Sequence, residues 1–290
     1  MSFRSLEEIV VKAREEQKPF WKIMLEDDMA ERMVTQEESF EKMRKMYHMM
    51  QEADKHYDAN GKSASGLVGQ DGAKMEQLVA NKQALSGDFI GQVMMRAIKM
   101  GESNACMKRI VAAPTAGSCG VIPAVFLTCQ QQEQIPEDKM VEALFVAAGI
   151  GMVIAERAFI AGATGGCQAE IGSASAMAAG GLAYLRGGNE EEILDAAAMA
   201  LKNLLGLVCD PVAGLVEVPC VKRNVIGAVN AITSADMAMA GIRSRIPADQ
   251  VIDAMRSVGI MMPGALKETG EGGLAATPRG MEIADGLKKK

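Results

Sequence analysis

The chain has 290 residues, of which 49% are hydrophobic, 23% are charged and 4% are aromatic, and it contains 30 glycines. This composition is typical of a folded globular protein with a sizeable core, and it argues against a disordered chain. The formal net charge is −6, so electrostatics gives no support to general nucleic-acid binding. The length predicts one large domain or two small ones.

The N-terminal segment and the apolar stretches bear on the cellular compartment. MSFRSLEEIVVKAREEQ is charged from Arg4 onward and lacks the apolar core of a secretory signal. The longest apolar helical stretch, Ala143–Ala155, would rise only about 20 Å, which is less than the bilayer hydrocarbon thickness of about 30 Å. We therefore expect a cytoplasmic protein without a membrane span. In that compartment the six cysteines are more often thiols or metal ligands than disulfides.

Composition divides the chain into three predicted parts. Residues 1–60 carry 24 charged side chains in a helical pattern, with no Gly or Pro between Phe20 and His56, and predict a charged, solvated N-terminal helical arm. Residues 61–266 form the predicted main helical domain, near whose start lies the Gly/Ser-rich loop NGKSASGLVGQDG. Residues 267–290 are polar and Gly-rich and predict a partly mobile C-terminal tail.

The sequence predicts an all-α fold. Ala, Met and Gly stand where a strand would need alternating Val, Ile, Thr or Tyr. Between Ala161 and Gly188 the only charged residues are Glu170 and Arg186, so we expect this segment in the middle of the helical domain, with glycine-rich loops between helix ends. The predicted helices are Asp71–Asn81, Phe89–Gly101, Ser118–Gln130, Pro136–Glu156, Ser173–Arg186, Glu190–Leu205, Lys222–Ala240 and Pro247–Val258.

Three cysteines stand in loop-like contexts. Cys167, Cys209 and Cys220 form the pattern C-x41-C-x10-C, within GATGGC, LVCDPVAG and VEVPC. Thiolates in such loops suit a soft metal or an iron–sulfur cluster, because exposed backbone N–H groups hydrogen-bond sulfur. Three ligands leave one position open, and the sequence lacks the close cysteine pairs of a structural zinc site. On spacing alone, buried inert thiols are an equally good interpretation.

Two loops of small residues are candidates for binding a substrate carboxylate. SGLVG begins at Ser65 and PTAGS ends at Ser118, and each can present backbone amides, the second at the start of a predicted helix. Tight turns with ordinary N-caps are the alternative for both loops. The predicted substrate-binding residues are Ser65, Gly66, Thr115, Ala116, Gly117 and Ser118.

The general base is the least well-defined member of the site. His48 and His56 lie in the charged N-terminal part, where a solvated surface role is favoured over catalysis. Ser118 and Lys74 are the catalytic candidates, provided that a cluster or a helix dipole activates them.

Three longer segments resemble one known family. AAPTAGSCGVIPAV (112–125), AGATGGCQAEIGSASAMAAGGL (161–182) and LGLVCDPVAGLVEVPCVKRNVIGAVNAITSADMAMAGI (205–242) are similar to the alpha chain of bacterial iron–sulfur L-serine dehydratase. The similarity extends over essentially the whole chain. It implies that Cys167, Cys209 and Cys220 hold a [4Fe–4S] cluster with one iron free of cysteine, which would make residues 61–266 the iron–sulfur catalytic domain.

The resemblance also implies a reaction and a partner. The open iron would act as a Lewis acid on the β-hydroxyl of L-serine while a base removes the α-proton, giving pyruvate and ammonia without pyridoxal phosphate. In the family a beta chain or a fused N-terminal domain carries a Ser-Ser-His motif, which these 290 residues lack. We therefore expect the main base in a beta chain, within a heterodimer or a larger assembly. Two alternatives stay open: an L-cysteine desulfidase-like lyase, and a non-catalytic helical binding module with structural thiols.

Overall fold

The computed structural model of the chain describes residues 3–289. Over this range the chain forms α-helices and no β-strand, which confirms the all-α prediction. A single strand-like pairing, an isolated parallel bridge, joins Cys209 to Lys267. The helices are α1 (Leu6–Glu16), α2 (Phe20–Arg32), α3 (Gln36–Lys55), α4 (Asp71–Ala80), α5 (Gly87–Ala105), α6 (Val121–Glu133), α7 (Glu137–Arg157), α8 (Gly162–Gly165), α9 (Ser173–Leu185), α10 (Glu190–Lys202), α11 (Cys220–Met239), α12 (Ala248–Met261) and α13 (Pro278–Lys288), with a π-helical turn at Gln168–Gly172.

The eight predicted helices all form, as α4 to α7 and α9 to α12, with ends within about one helical turn of the prediction. The start of α6 differs in a way that matters for the site. This helix begins at Val121 and not near Ser118, because the N–H of Gly120 donates to the Asn224 side chain over 2.8 Å. The PTAGS loop therefore ends before the helix begins.

Within residues 3–289, none of the helices combines the length and the apolar character needed to cross a bilayer.

The small-residue helix α9 occupies the centre of the core. It packs against α6, α7, α10 and α11, and its residues from Ser173 to Ala183 are all buried. A Cβ at Gly180 would lie 2.2 Å from Ile150 of α7, and a Cβ at Gly181 would lie 2.5 Å from Phe126 of α6. A Cβ at either position would force the Ile150 or Phe126 side chain to shift, so the two glycines allow the helices to pack this closely. This arrangement agrees with the expectation that residues 161–188 pack in the middle of the helical domain.

The N-terminal helices contribute to the same core. Phe20, Ile23 and Leu25 of α2 and Tyr47 of α3 are fully buried in it. The predicted arm is thus solvated on one side only, because its apolar face lies against α7. The arm is helical but divided: α2 ends at Arg32, Met33 follows with a left-handed φ of 55°, and α3 starts from a capping box. The domain boundaries at residues 60 and 266 remain predictions.

The C-terminal segment is more ordered than the expectation of a mobile tail. We call residues 262–277 the C-terminal strap. The strap runs beside Cys209 and is hydrogen-bonded to it on both sides: Cys209 N–H donates to Leu266 O (2.8 Å), and Glu268 N–H donates to Cys209 O (2.7 Å). Helix α13 then begins after Thr277, whose hydroxyl accepts from Gly280 N. This helix was absent from the prediction because its sequence is polar, yet Thr277 and Pro278 are favourable start residues. Of the predicted tail, Lys290 lies outside the described residues.

Candidate active site

Three buried cysteines from separate segments of the chain lie in one region: Cys167 and Cys209 are in contact, and Cys220 is close enough to interact with Cys167 electrostatically. Cys167 follows α8 and opens the π-helical turn, Cys209 lies in the extended segment after α10, and Cys220 is the first residue of α11. Their exposed fractions are 2%, 2% and 6%. The glycine at position 162 makes room for them, because a Cβ there would lie 2.8 Å from the Cys209 sulfur. The predicted metal ligands are therefore withdrawn from bulk solvent, and their role as ligands remains a prediction.

A carboxylate that the sequence analysis did not select lies among these sulfurs. One carboxylate oxygen of Glu170 and the Sγ atoms of Cys167 and Cys209 lie within 4.8 Å of one another. Burial raises the pKa of Glu170, and a hydrogen bond from Thr115 opposes the rise. The signal for this residue was present in the sequence: Glu170 is the one acid between Ala161 and Gly188, three residues after Cys167.

The thiols differ in how readily they ionise. A hydrogen bond from Cys209 lowers the pKa of Cys167 against the effect of burial, and the nearby Arg223 guanidinium lowers it further. The same thiol pair interaction, together with burial, raises the pKa of Cys209. Burial raises the pKa of Cys220 to about 12, with added repulsion from Cys167 and Glu170. Cys167 is thus the thiol whose surroundings most favour ionisation, and a bound cation would favour the thiolate form of all three.

Arg223 is the cationic side chain beside the sulfurs. It lies one turn into α11 from Cys220, and its guanidinium donates to Val208 O and to Asp210 Oδ1, both over 2.7 Å. Asp210 is 3% exposed and also accepts from Leu274 N of the C-terminal strap over 2.8 Å. Arg223 therefore fixes the backbone on both sides of Cys209 and places a positive charge beside the thiols.

The predicted PTAGS loop reaches the cysteines through Glu170. The Thr115 hydroxyl donates to Glu170 Oε1 over 2.9 Å and lies 3.1 Å from the Ser118 hydroxyl. A Cβ at Gly117 would lie 3.1 Å from Glu170 Oε2. Four of the predicted substrate-binding residues, Thr115 to Ser118, are thus brought next to the cysteine site.

Asn224 of α11 holds this loop in place. Its side-chain amide donates to Gly117 O (2.8 Å) and to Cys220 O (3.0 Å), while its carbonyl accepts from Gly120 N (2.8 Å). Asn224 is 1% exposed, so each of its polar groups has a protein partner in place of water. Sequence reasoning missed this residue because nothing in the motif around it marks a long-range contact.

The second predicted loop is anchored on the segment between two of the cysteines. The hydroxyls of Ser63 and Ser65 both donate to Glu217, a buried residue three positions before Cys220. Gly66 has a φ of 80° and open space around its Cα, as a turn requires. At the other end of the loop the buried Glu102 accepts from the N–H groups of Gly69, Asp71 and Gly72. Ser65 and Gly66 are therefore tied to the Cys220 segment and remain predicted substrate contacts.

Lys74 is not brought to the cysteines. Its ammonium lies on the exposed face of α4 and donates to Asp71 over 2.8 Å. That hydrogen bond raises the pKa of Lys74, which is the opposite of what a base at neutral pH requires. Ser118 is fully buried, and its hydroxyl bonds within its own loop. Among the two catalytic candidates, Ser118 alone lies beside Glu170.

The histidines and the other cysteines lie elsewhere. His48 Nε2 is 3.0 Å from Glu137 at the α3–α7 contact, and His56 caps the end of α3. The Cys119 sulfur donates to Met100 O, and burial raises its pKa to about 12, so it faces the core. Cys129 is fully buried in α6, with its pKa raised by burial to about 12. These groups stay outside the candidate site.

Comparison with known proteins assigns this chain to a family. The family model described as serine dehydratase alpha chain matches residues 15–275. The chain is 46% identical over 281 residues to the probable L-serine dehydratase alpha chain of Bacillus subtilis (strain 168), covering 97% of this chain and 94% of that protein. It is 40% identical over 262 residues to the L-serine dehydratase alpha chain of Peptoniphilus asaccharolyticus, covering 90% of each.

Another relative is a longer protein. The L-serine dehydratase of Streptomyces coelicolor is 38% identical over 282 residues, which cover 94% of this chain and 60% of that protein. The remaining part of that relative has no counterpart in this alignment. Given the family match over most of its length, the chain belongs to the serine dehydratase alpha chain family.

Proposed function

We propose that this chain is the alpha subunit of an iron–sulfur L-serine dehydratase, a lyase that converts L-serine to pyruvate and ammonia. One observation carries the proposal: Cys167 and Cys209 lie beside Glu170 and the PTAGS loop in a buried site, with the buried Cys220 close enough to interact with Cys167 electrostatically. The names of the relatives support the substrate and the reaction class. The buried position of the thiols supports a cofactor site protected from water.

The donor set fits a [4Fe–4S] cluster. Thiolates are the ligands that such clusters take, and Gly162 lets the backbone approach the Cys209 sulfur, because a Cβ there would lie 2.8 Å from it. Cys167, Cys209 and Cys220 would hold the group, and Arg223 would offset part of its negative charge. When bound, the cluster supplies an iron without a cysteine ligand, which acts as a Lewis acid toward the substrate hydroxyl.

The PTAGS loop supports binding of the substrate carboxylate. In the described part of the chain, the backbone N–H groups of Ala116, Gly117 and Ser118 donate to no acceptor. Asn224 bonds to Gly117 O and to Gly120 N and so restrains the loop at two points. Successive backbone N–H groups in a turn can form an anion-binding concavity. The loop would orient L-serine with its hydroxyl toward the cysteines.

The proton acceptor for Cα is proposed to come from a beta chain. Both histidines lie away from the cysteines, and Lys74 is engaged with Asp71. The longer Streptomyces relative carries additional sequence in one protein, which supports a second part that completes the site. A missing general base lowers turnover by roughly 10²–10⁴-fold. The alpha chain alone should therefore bind its cofactor but turn over very slowly.

The test is anaerobic purification of this chain with and without its beta chain, followed by measurement of L-serine-dependent pyruvate and ammonia. Equal amounts of the two products, released by the complex and nearly absent from either chain alone, are the expected result. Sulfide release from L-cysteine, faster than pyruvate release from L-serine, would identify a desulfidase. A colourless, folded chain without either activity in the complex would identify a binding module.

A further inference from the structure

The Glu170 carboxylate lies in the cysteine site without an assigned role. We propose that Glu170 is the protein's oxygen ligand to the iron that the three cysteines leave free, and that it holds this iron while the site contains no substrate. This inference rests on the proposed function and extends it to the resting state of the site.

The position of the carboxylate is the first argument. Its ligand oxygen lies within 4.8 Å of the Sγ atoms of Cys167 and Cys209, so the carboxylate and the two sulfurs border the same space. No such arrangement of sulfur and oxygen ligands is formed by other carboxylates and cysteines among residues 3–289. The carboxylate therefore faces the space where the sulfurs converge.

The orientation of the carboxylate is fixed by its surroundings. Thr115 donates to Oε1 over 2.9 Å. A Cβ at Gly117 or at Gly162 would lie 3.1 Å from the other oxygen, Oε2. Two glycines thus create the room that the carboxylate occupies, and one hydroxyl fixes its rotamer. A ligand held in this way loses little side-chain entropy when it binds a metal.

The charge of Glu170 is the third argument. Glu170 is half-buried, and a partly desolvated carboxylate is stabilised in its charged form by a nearby cation or metal. Within the described chain no Lys or Arg forms an ion pair with Glu170; the nearby Arg223 donates to Asp210 and Val208 instead. A metal centre at the cysteines would supply the missing positive partner.

The local backbone brings Glu170 to the same side as Cys167. The chain between them forms a π-helical turn, Gln168–Gly172, before α9 continues as a regular helix. Turns of this type are rare and are found mostly where a side chain has to be redirected at a functional site. Gln168 anchors the turn, since its side chain donates to Gly165 O and Met255 O and accepts from Gly206 N.

Glu268 provides a matched control. It lies on the C-terminal strap beside Cys209, with its N–H bonded to Cys209 O. Its charge raises the pKa values of Glu170 and Cys220, so it is close to the same site. Neither Glu268 nor Cys220 belongs to the compact group formed by Cys167, Glu170 and Cys209, and Glu268 is not a thiol ligand of the proposed cluster. Removing its charge changes the electrostatics of the site without removing the proposed ligand.

The experiment compares the full chain with Glu170→Gln and Glu268→Gln after anaerobic reconstitution with ⁵⁷Fe and sulfide. The readouts are iron and sulfide content, the Mössbauer spectrum without L-serine, and the rate at which air removes one iron from the cluster. We expect an oxygen-ligated iron subsite in wild type and Glu268→Gln. In Glu170→Gln the Mössbauer signal of this iron subsite should change. Iron loss should be roughly ten-fold faster or more, which is the usual scale when a residue that supports a metal site is removed.

A second measurement covers the case in which Glu170→Gln does not fold. Wild-type chain labelled with ¹³C at its glutamate carboxyls is reduced and studied by pulsed electron–nuclear double resonance. A ¹³C coupling to the cluster that disappears when L-serine is added supports the inference. Absence of this coupling, or identical spectra and rates for wild type and Glu170→Gln, would overturn it while leaving the cluster intact. If wild type itself takes up no cluster, the proposed function fails, and the inference fails with it.

Discussion

The Thr115 hydroxyl donates to Glu170 over 2.9 Å, and this bond joins the PTAGS loop to the π-helical turn that follows Cys167. The two residues are 55 positions apart in the chain. Their contact brings the proposed carboxylate-binding loop and the cysteine site into one structure. It also makes the loop sensitive to changes at the site, and the site sensitive to changes in the loop.

Thr115→Val should weaken substrate binding. The change keeps the shape of the side chain but removes a donor from a half-buried carboxylate, which costs about 1–3 kcal/mol. We expect a higher KM for L-serine in the complex and a lower unfolding temperature. Thr233→Val is the control, because the Thr233 hydroxyl is exposed and bonds only within α11. The same KM in both variants would show that Thr115 does not support the substrate loop.

Gly162→Ala should prevent cluster assembly without unfolding the chain. A Cβ at this position would lie 2.8 Å from the Cys209 sulfur and 3.1 Å from Glu170 Oε2. Gly286→Ala is the matched control, because α13 leaves open space around that residue and alanine is the better helix former by about 0.5–1 kcal/mol. Visible absorbance after reconstitution and helical circular dichroism measure the two effects. Full absorbance in Gly162→Ala would mean that the cofactor lies elsewhere.

Asn224→Asp should destabilise the loop more than a surface change of the same type. An aspartate can still accept from Gly120 N, but it cannot donate to Gly117 O and Cys220 O. Losing two buried hydrogen bonds costs about 2 kcal/mol or more in the free energy of unfolding. The control is Asn203→Asp, because Asn203 donates to Asn230 at the surface. Chemical denaturation of both variants gives the comparison, and equal losses would contradict the role of Asn224.

Air should remove activity before it removes structure. The core formed by α6, α7 and α9 to α11 consists mainly of apolar side chains, of which Cys167 and Cys209 are a small part. Loss of the iron that has no cysteine ligand should therefore abolish pyruvate release while the helical circular dichroism stays constant. The measurement follows both signals in one aerated sample. A simultaneous collapse of the two would mean that the metal is needed for folding.

The sequence predicted the helices well because their signals are local. Asn189 before three glutamates and Pro247 before α12 mark helix starts that need no information from the rest of the chain. Helix α13 and the break at Met33 were missed, because polar residues and a left-handed C-cap give weaker local signals.

The site was predictable in its cysteines and loops but not in the contacts that join them. Glu170 and Asn224 act across 55 and more than 100 residues of sequence, and no spacing rule links them to the PTAGS loop. The lone charge of Glu170 in an uncharged segment was the one available sign. Lys74 was selected on its residue type, and its exposure on α4 could not be read from sequence.

The most direct test of the account is the iron and sulfide content of four variants reconstituted anaerobically side by side: Cys167→Ala, Cys209→Ala, Cys220→Ala and Cys129→Ala. The first three remove a proposed thiolate ligand, whereas Cys129 is buried within α6, away from the site. We predict that the first three variants lose the cluster and its visible absorbance, and that Cys129→Ala retains the wild-type content. Equal iron and sulfide in all four variants would contradict the assignment of the cluster to these cysteines.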